Sequence, residues 1–283
     1  PGFGLGTLEK GDYNGDGKKD LCYLKTGSPT STVTCLLGNG LGSFPTVSTY
    51  TYSGIYSRMR TSDFNNDGKS DIAFNSTSSV LQIKFGAPTG LAAATSSYTS
   101  IGSGWLAAGD FNGDSNEDLG VISSNTLKIL LGSPTGTFSA ATTYSMGASM
   151  SYITTGDYDL DGYDDLAMQT SSGTLVTLLG SITGTLSQGL QYSSIGDRDI
   201  ITSEFTSDGK PDIVTVTYGS DNISILKSGI QPLSATSGTI CSGKSYTINP
   251  TGAVSYSFSA GAAIVSPTAS TSYTINGQFA EGC

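Results

Sequence analysis

Short runs of apolar residues alternating with Ser, Thr and other polar residues recur along the chain, and no stretch carries the i, i+3, i+4 spacing of an amphipathic helix. The unit around residue 110 illustrates the pattern. Leu106–Gly109, Leu119–Ile122 and Leu127–Leu131 read as strands, and a fourth falls near Ala140 to Tyr144. A brief turn at residues 123–125 joins the second and third, and the Gly- and Pro-bearing stretch from Gly132 to Phe138 joins the third and fourth. Four antiparallel strands per unit predict an all-β chain built of four-stranded sheets.

Between the first and second strands of each unit lies an acidic loop of nine residues. In the first copy Asp12, Asn14 and Asp16 stand at positions 1, 3 and 5, Gly17 at 6, Lys18 at 7 and Asp20 at 9. Alternate side-chain oxygens, a backbone carbonyl and a closing carboxylate make the oxygen shell that Ca2+ takes at roughly 2.3–2.6 Å. The glycine permits the sharp reversal. A last ligand at position 9, with strands on both sides, sets this loop apart from the helix-flanked kind that ends on Glu at position 12.

The loop recurs as Asp63, Asn65, Asp67, Lys69 and Asp71, then as Asp110, Asn112, Asp114, Asn116 and Asp118 without the glycine. The fourth copy, Asp157, Asp159, Asp161, Tyr163 and Asp165, is the most acidic. A fifth keeps Asp208 and Asp212 but has Glu204 at position 1 and Thr206 at position 3, which predicts a weak site or none. The copies begin at residues 12, 63, 110, 157 and 204, a spacing of 51 and then three times 47, the mark of a repeat array or a propeller. Ca2+ is therefore the expected cofactor, at four sites and a weak fifth. Repetition once per unit makes each ion a staple of its turn rather than a catalytic centre. Carboxylates packed this closely repel one another, so the loops are expected to lose their order without the cation.

Charge and composition narrow the function. Sixteen of the 23 acidic residues sit at positions 1, 3, 5 or 9 of the loops, leaving seven against 13 bases elsewhere, and five Ca2+ would cancel the formal charge of −10. The acidity thus reads as ion binding and speaks against nucleic acid, whose phosphates need a basic surface. No apolar run is long enough to cross a membrane, so no membrane insertion is expected. Neither a signal peptide nor an initiating Met stands at Pro1, and the chain reads as a processed product or a piece of something longer. With no His, triads and metal centres that use it are removed. A carboxylate pair could serve a glycosidase, but the clustered aspartates are committed to the loops, and Asp197 and Asp199 beside Arg198 read as a solvated turn. The chain is accordingly expected not to be an enzyme. Its four cysteines suggest two pairs, Cys22 with Cys35 on consecutive strands and Cys241 with Cys283 bracketing the C-terminal segment. Two disulfides place the chain in an oxidising, extracellular compartment; reduced core cysteines are the alternative.

Downstream of the loops stand Phe85-Gly86-Ala87-Pro88-Thr89-Gly90, Leu131-Gly132-Ser133-Pro134-Thr135-Gly136 and Leu179-Gly180-Ser181-Ile182-Thr183-Gly184. Loop and turn together resemble the FG-GAP or VCBS repeats of integrin-type β-propellers, over about residues 1–229. The resemblance implies one four-stranded blade per repeat. Members of that family usually close seven blades and five are visible here, so either the ring is five-bladed or upstream blades lie outside the sequence. From residue 230 the loop and the period stop, and short alternating runs predict a small β-sandwich over 230–283. It is similar to the Ig-like or PKD-like modules of secreted bacterial surface proteins, with a thin core of Ile248, Tyr256, Phe258, Val265, Tyr273 and Ile275.

Five residues before each loop stand Thr7, Arg58, Trp105, Tyr152 and Asp199, at the start of the innermost strand and on the face opposite the loops. They differ while their surroundings stay alike, as a binding face on a repeated scaffold would, and Trp105 and Tyr152 could stack on a sugar ring. A plug of the central channel fits the same positions. The aromatics at loop position 2, Tyr13, Phe64, Phe111, Tyr158 and Phe205, are expected to pack between blades. The reading is a secreted or cell-surface, calcium-stabilised binding module of an adhesin or lectin-like protein. Its expected partners are cell-surface glycans or proteins and further domains of the same polypeptide. A non-catalytic accessory region of an extracellular polysaccharide-degrading enzyme, and a structural spacer or filament subunit, are the alternatives.

Overall fold

The computed structural model describes residues 5–93, 95–193, 196, 198–217, 222–227, 234–235, 238–251 and 255–278. Among them every element is a strand, and the first four repeats each form one four-stranded antiparallel sheet with its strands in sequence order. Blade one holds β1 (Leu5–Gly11), β2 (Asp20–Lys25), β3 (Thr30–Leu37) and β4 (Thr46–Ser53). Blade two holds β5 (Tyr56–Ser62), β6 (Asp71–Ser76) and β7 (Leu81–Lys84). A small hairpin of β8 (Gly86–Ala87) and β9 (Gly90–Leu91) follows, and β10 (Ser96–Tyr98) completes the blade. Blade three is β11 (Leu106–Gly109), β12 (Asp118–Ser123), β13 (Thr126–Leu130) and β14 (Thr142–Ser145), as the apolar pattern predicts. Blade four is β15 (Met150–Gly156), β16 (Asp165–Thr170), β17 (Leu175–Leu179) and β18 (Ser187–Tyr192). Blade five has three described strands, β19 (Ile200–Ser203), β20 (Asp212–Thr217) and β21 (Asn222–Leu226).

The innermost strands pack side by side in the order β1, β5, β11, β15, β19, which is the arrangement of a β-propeller. Because blades stack face to face, the second strand of an enclosed blade is covered on both sides. All six residues of β6 and of β16 are buried, whereas the outer β4 and β14 alternate between exposed and half-buried. The core is accordingly divided into layers between successive blades. In each layer the trailing face of one blade meets the leading face of the next. Tyr13, Cys22 and Val33 of blade one meet Met59, Ile72 and Phe74 of blade two, for example, and Phe111, Ile122 and Leu127 of blade three meet Ile153, Leu166 and Met168 of blade four. Cys22 and Cys35 lie opposite each other in β2 and β3 and are joined by a disulfide inside the first layer. The second expected pair lies outside the described residues, because Cys283 does; Cys241 is exposed.

Past the blades, β22 (Ser234–Ala235), β23 (Tyr246–Thr247), β24 (Pro250–Thr251), β25 (Ser255–Phe258), β26 (Ile264–Val265) and β27 (Ile275–Gln278) form three antiparallel pairs, β22 with β24, β23 with β26 and β25 with β27. Ile248 and Val265 are buried there, and Tyr256, Phe258, Tyr273 and Ile275 are half-buried. No helix among the described residues is long and apolar enough to cross a membrane.

Candidate metal centre and binding face

Each acidic loop folds around its first carboxylate. Asp12 accepts hydrogen bonds from the backbone N–H of Asp16 (3.1 Å) and Gly17 (2.7 Å), and Asp63, Asp110 and Asp157 repeat this at positions 5 and 6 of their loops. The residue at position 3, Asn14, Asn65, Asn112 or Asp159, accepts from the N–H at position 5. The carboxylate at position 5 in turn accepts from position 7, as Asp161 does from Tyr163. So the oxygens are turned inward by the loop's own amides. Holding them there puts positions 4 and 6 in the left-handed region: φ is +65° at Leu160 and +91° at Gly162, and Ser115 adopts +65° where the third copy lacks the glycine. A bulky residue pays for this conformation by roughly 1–2 kcal/mol. Replacing exposed Leu160 with Asn, which visits that region more readily, is expected to raise the thermal midpoint by a few degrees, and calorimetry of the variant checks it.

The aspartate at position 9 does more than close a metal shell. Asp118 is fully buried, and its two oxygens accept from the N–H of Phe111 (3.0 Å) in the loop and of Gly132 (2.7 Å) in the turn after the third strand. The same clasp joins Asp20 to Tyr13 and Gly38, Asp71 to Phe64 and Gly86, and Asp165 to Tyr158 and Gly180. In the fifth copy Asp212 holds Phe205. The turn must bear glycine, because a Cβ on Gly132 would stand 2.2 Å from the carbonyl oxygen of Glu117, and one on Gly38 2.2 Å from that of Lys19. Sequence reasoning placed these glycines in a turn and missed their bond to the aspartate. Their recurrence one or two residues past the third strand was the available signal.

Electrostatics separate the copies. In loops one and two the Lys at position 7 reaches back to the position 5 carboxylate, Lys18 to Asp16 at 3.1 Å and Lys69 to Asp67 at 3.0 Å. The backbone N–H of Lys18, with its side chain, holds the Asp16 carboxyl below the usual range; at Asp67 burial is outweighed by the bonds from Lys69. In loop three Asn116 gives its amide to Asp114 at 2.8 Å. Loop four has Tyr163 at that position, and burial, followed by the charges of Asp161 and Asp157, pushes the Asp159 carboxyl up. Here Asp157, Asp159 and Asp165 each bring an oxygen within 4.8 Å of the others, a set that can hold a metal ion. Two oxygens on one Ca2+ stand at most about 5.2 Å apart, so the residues fit the ion. Burial also raises the clasp carboxyls of Asp71, Asp118 and Asp165 to about 7, against two backbone hydrogen bonds that lower each.

The fifth loop folds differently. The longer side chain of Glu204 accepts from the N–H of Thr206 (2.8 Å) and from that of Ser207, positions 3 and 4 rather than 5 and 6, and the Thr206 hydroxyl is buried without a hydrogen-bond partner. Asp208 keeps its bond to Lys210 at 3.0 Å.

On the opposite face three of the five variable residues meet. The Arg58 guanidinium lies 4.1 Å over the Trp105 ring, and Tyr152 stands 5.3 Å from it at 39°. Arg60, ion-paired with Glu9 at 3.0 Å, lies 5.7 Å from the same indole. Burial lowers the Arg58 pKa. A β-bulge precedes Thr7, Arg58 and Tyr152 in β1, β5 and β15 alike, and this re-aims the side chain that follows. Opposite Arg58 and Tyr152, the buried amides of Asn75 and Gln169 donate to Gly104 O and to the Thr215 hydroxyl, both at 2.7 Å, and so tie each blade to the next. Thr7 and Asp199 take no part in the cluster: the Thr7 hydroxyl is buried, and Asp199 is exposed and accepts from Ile200 N–H at 2.9 Å. The indole face read as a platform for a sugar is therefore already covered by Arg58.

Known proteins place this architecture. A structure of a lectin from Agrocybe aegerita, which recognises non-reducing terminal N-acetylglucosamine, matches at TM-score 0.48 and 14% identity over 74% of this chain and 60% of its own. The exotype rhamnogalacturonan lyase YesX matches at TM-score 0.52 and 13% identity, over 80% of this chain and 48% of its own. BBS1N, solved in complex with ARL6DN, matches at 0.51 and 11%, over 78% and 77%. The chain thus spans less than two thirds of the lectin and lyase structures, and at these identities the lyase and BBS1N matches speak for the fold alone. No curated protein matches the sequence. The FG-GAP-like repeat family matches residues 12–74 and 110–168, from the first loop into β6 and from the third loop into β16. The two matched stretches hold the first four acidic loops, and FG-GAP-like repeats are thus found on a β-propeller fold.

Proposed function

We propose that the chain is a secreted or cell-surface binding module, stapled by calcium in its first four loops and recognising glycans or surface partners through the face that carries Arg58. The observation that carries this reading is the meeting of Arg58, Trp105 and Tyr152 from three successive blades on the face opposite the loops. A half-buried guanidinium on an indole, beside a phenol, offers directed donors and aromatic edges to hydroxyl and carboxylate oxygens, and needs no catalytic group. In the same reading the chain acts without catalysis, and the C-terminal strand pairs belong to an Ig-like module. An array of neutral and acidic glycans probed with the purified chain tests the proposal. Binding that Arg58→Ala weakens at least tenfold, with an unchanged circular dichroism spectrum, supports it. Absence of binding, or binding indifferent to Arg58→Ala and Trp105→Ala, would mean that this face is a channel plug.

A further inference from the structure

Two arginines stand two residues apart on β5 and reach the same indole, Arg58 at 4.1 Å from the Trp105 ring centre and Arg60 at 5.7 Å. Only one of them has an acid. Each donates to the carbonyl of the residue before it, Arg58 to Ser57 at 3.1 Å and Arg60 to Met59 at 3.2 Å, but Arg60 also donates to Glu9 at 3.0 Å. Among the described residues Arg58 has no ion pair and no second hydrogen bond. The repeat accounts for the difference. Glu9 and Arg60 both stand three residues before their loops, in blades one and two, whereas the residue of blade one at the place of Arg58 is Thr7, which has no charge. The buried amide oxygen of Asn75, opposite Arg58 in the strand pair, is likewise left without a donor. Stacking on Trp105, and not a protein acceptor, thus sets where the guanidinium lies.

An arginine laid on a ring keeps its remaining N–H groups in one plane at the edge of the stack, the shape that grips both oxygens of a carboxylate. Burial lowers the Arg58 pKa, Tyr152 raises it in part and the Arg60 charge lowers it further. An anion brought against such a cation stabilises its charged form. Sixteen of the 23 acidic residues are held in the loops, so few are left in the chain to compete for the place. We infer that Arg58 takes the carboxylate of an acidic sugar, a hexuronate unit of a glycan, with Tyr152 against the sugar ring; this rests on the reading of the face as a glycan site. A hexuronate joins its carboxylate to a rigid ring with C–H and hydroxyl edges, which a phenol beside the guanidinium complements. An acidic peptide brings its carboxylate on a flexible stem, whose ordering weakens binding.

Titration calorimetry of the intact chain in calcium tests the inference with three kinds of probe. These are oligosaccharides ending in glucuronate or galacturonate, the same oligosaccharides with the carboxyl reduced to the alcohol, and an acidic peptide. At least one of the acids is expected to bind about tenfold or more tighter than its reduced form, and to weaken as salt is raised. Arg58→Gln, folded by circular dichroism, should abolish that preference, and Arg58→Lys, which keeps the charge and loses the fork, should retain only part of it. Equal binding of acid and reduced sugars would overturn the inference and leave the face a glycan site. A preference that survives Arg58→Gln, or tighter binding of the peptide than of any hexuronate, would overturn it as well. Binding of none of the three probes would also overturn it, and neutral glycans bound on the array would then keep the wider reading.

Discussion

Asp118→Ala is expected to lower stability by about 2–4 kcal/mol, because it strands the buried N–H of Phe111, at a cost of about 1–3 kcal/mol, and removes the bond to the half-buried N–H of Gly132, worth about 1 kcal/mol. That is a large share of the 5–15 kcal/mol typical of a domain. Nothing can refill the place, since Asp118 is fully enclosed. Gly132→Ala attacks the same clasp from the other side. The added methyl would meet backbone rather than a movable side chain, at 2.2 Å, and the expected loss is about 3 kcal/mol or more, the top of the usual overpacking range. Urea midpoints of both variants check this. A loss below about 1 kcal/mol in either would mean that the turn is not held by the aspartate.

Where the sequence was legible, the relevant distances were short. Loop ligands lie within nine residues of one another and strands follow from local alternation, so Asp157, Asp159 and Asp165, like β11 to β13, could be read directly. Partners brought together by register were hidden. Asp118 and Gly132 lie 14 residues apart and meet because β12 and β13 pair; nothing local couples them. Lys18 and Lys69 were read as donors of a carbonyl, and rotamer choice turns their ammonium groups back onto Asp16 and Asp67. The period put Arg58 and Trp105 at equivalent places but could not say that the guanidinium would lie on the indole. For Phe205 the period predicts burial, and the structure leaves it 45% exposed, with no further blade packed on it among the described residues.

Withdrawing calcium is expected to have the largest effect of all. An ion that binds the folded state alone stabilises it by about 2.7 kcal/mol per site at a hundredfold excess over Kd, and four loops share the same fold around their first carboxylate. Loop four, whose acids lack a Lys or Asn partner at position 7, should dominate: Asp161→Ala should cut the response clearly, and Asp208→Ala in the altered fifth loop much less. The sign of the pH dependence follows from Asp71, Asp118 and Asp165. Without the ion they titrate near 7 when folded and near 4 when unfolded, so in that window the folded chain holds protons the unfolded chain releases. Stability of the ion-free form therefore falls as pH rises from about 4 to about 7, and the gain from calcium grows over the same range. The decisive measurement is the thermal midpoint of the intact chain at neutral pH in millimolar Ca2+ and after exhaustive chelation. A rise of more than about 10 °C with calcium is predicted; an unchanged midpoint would contradict the account of these loops as calcium staples.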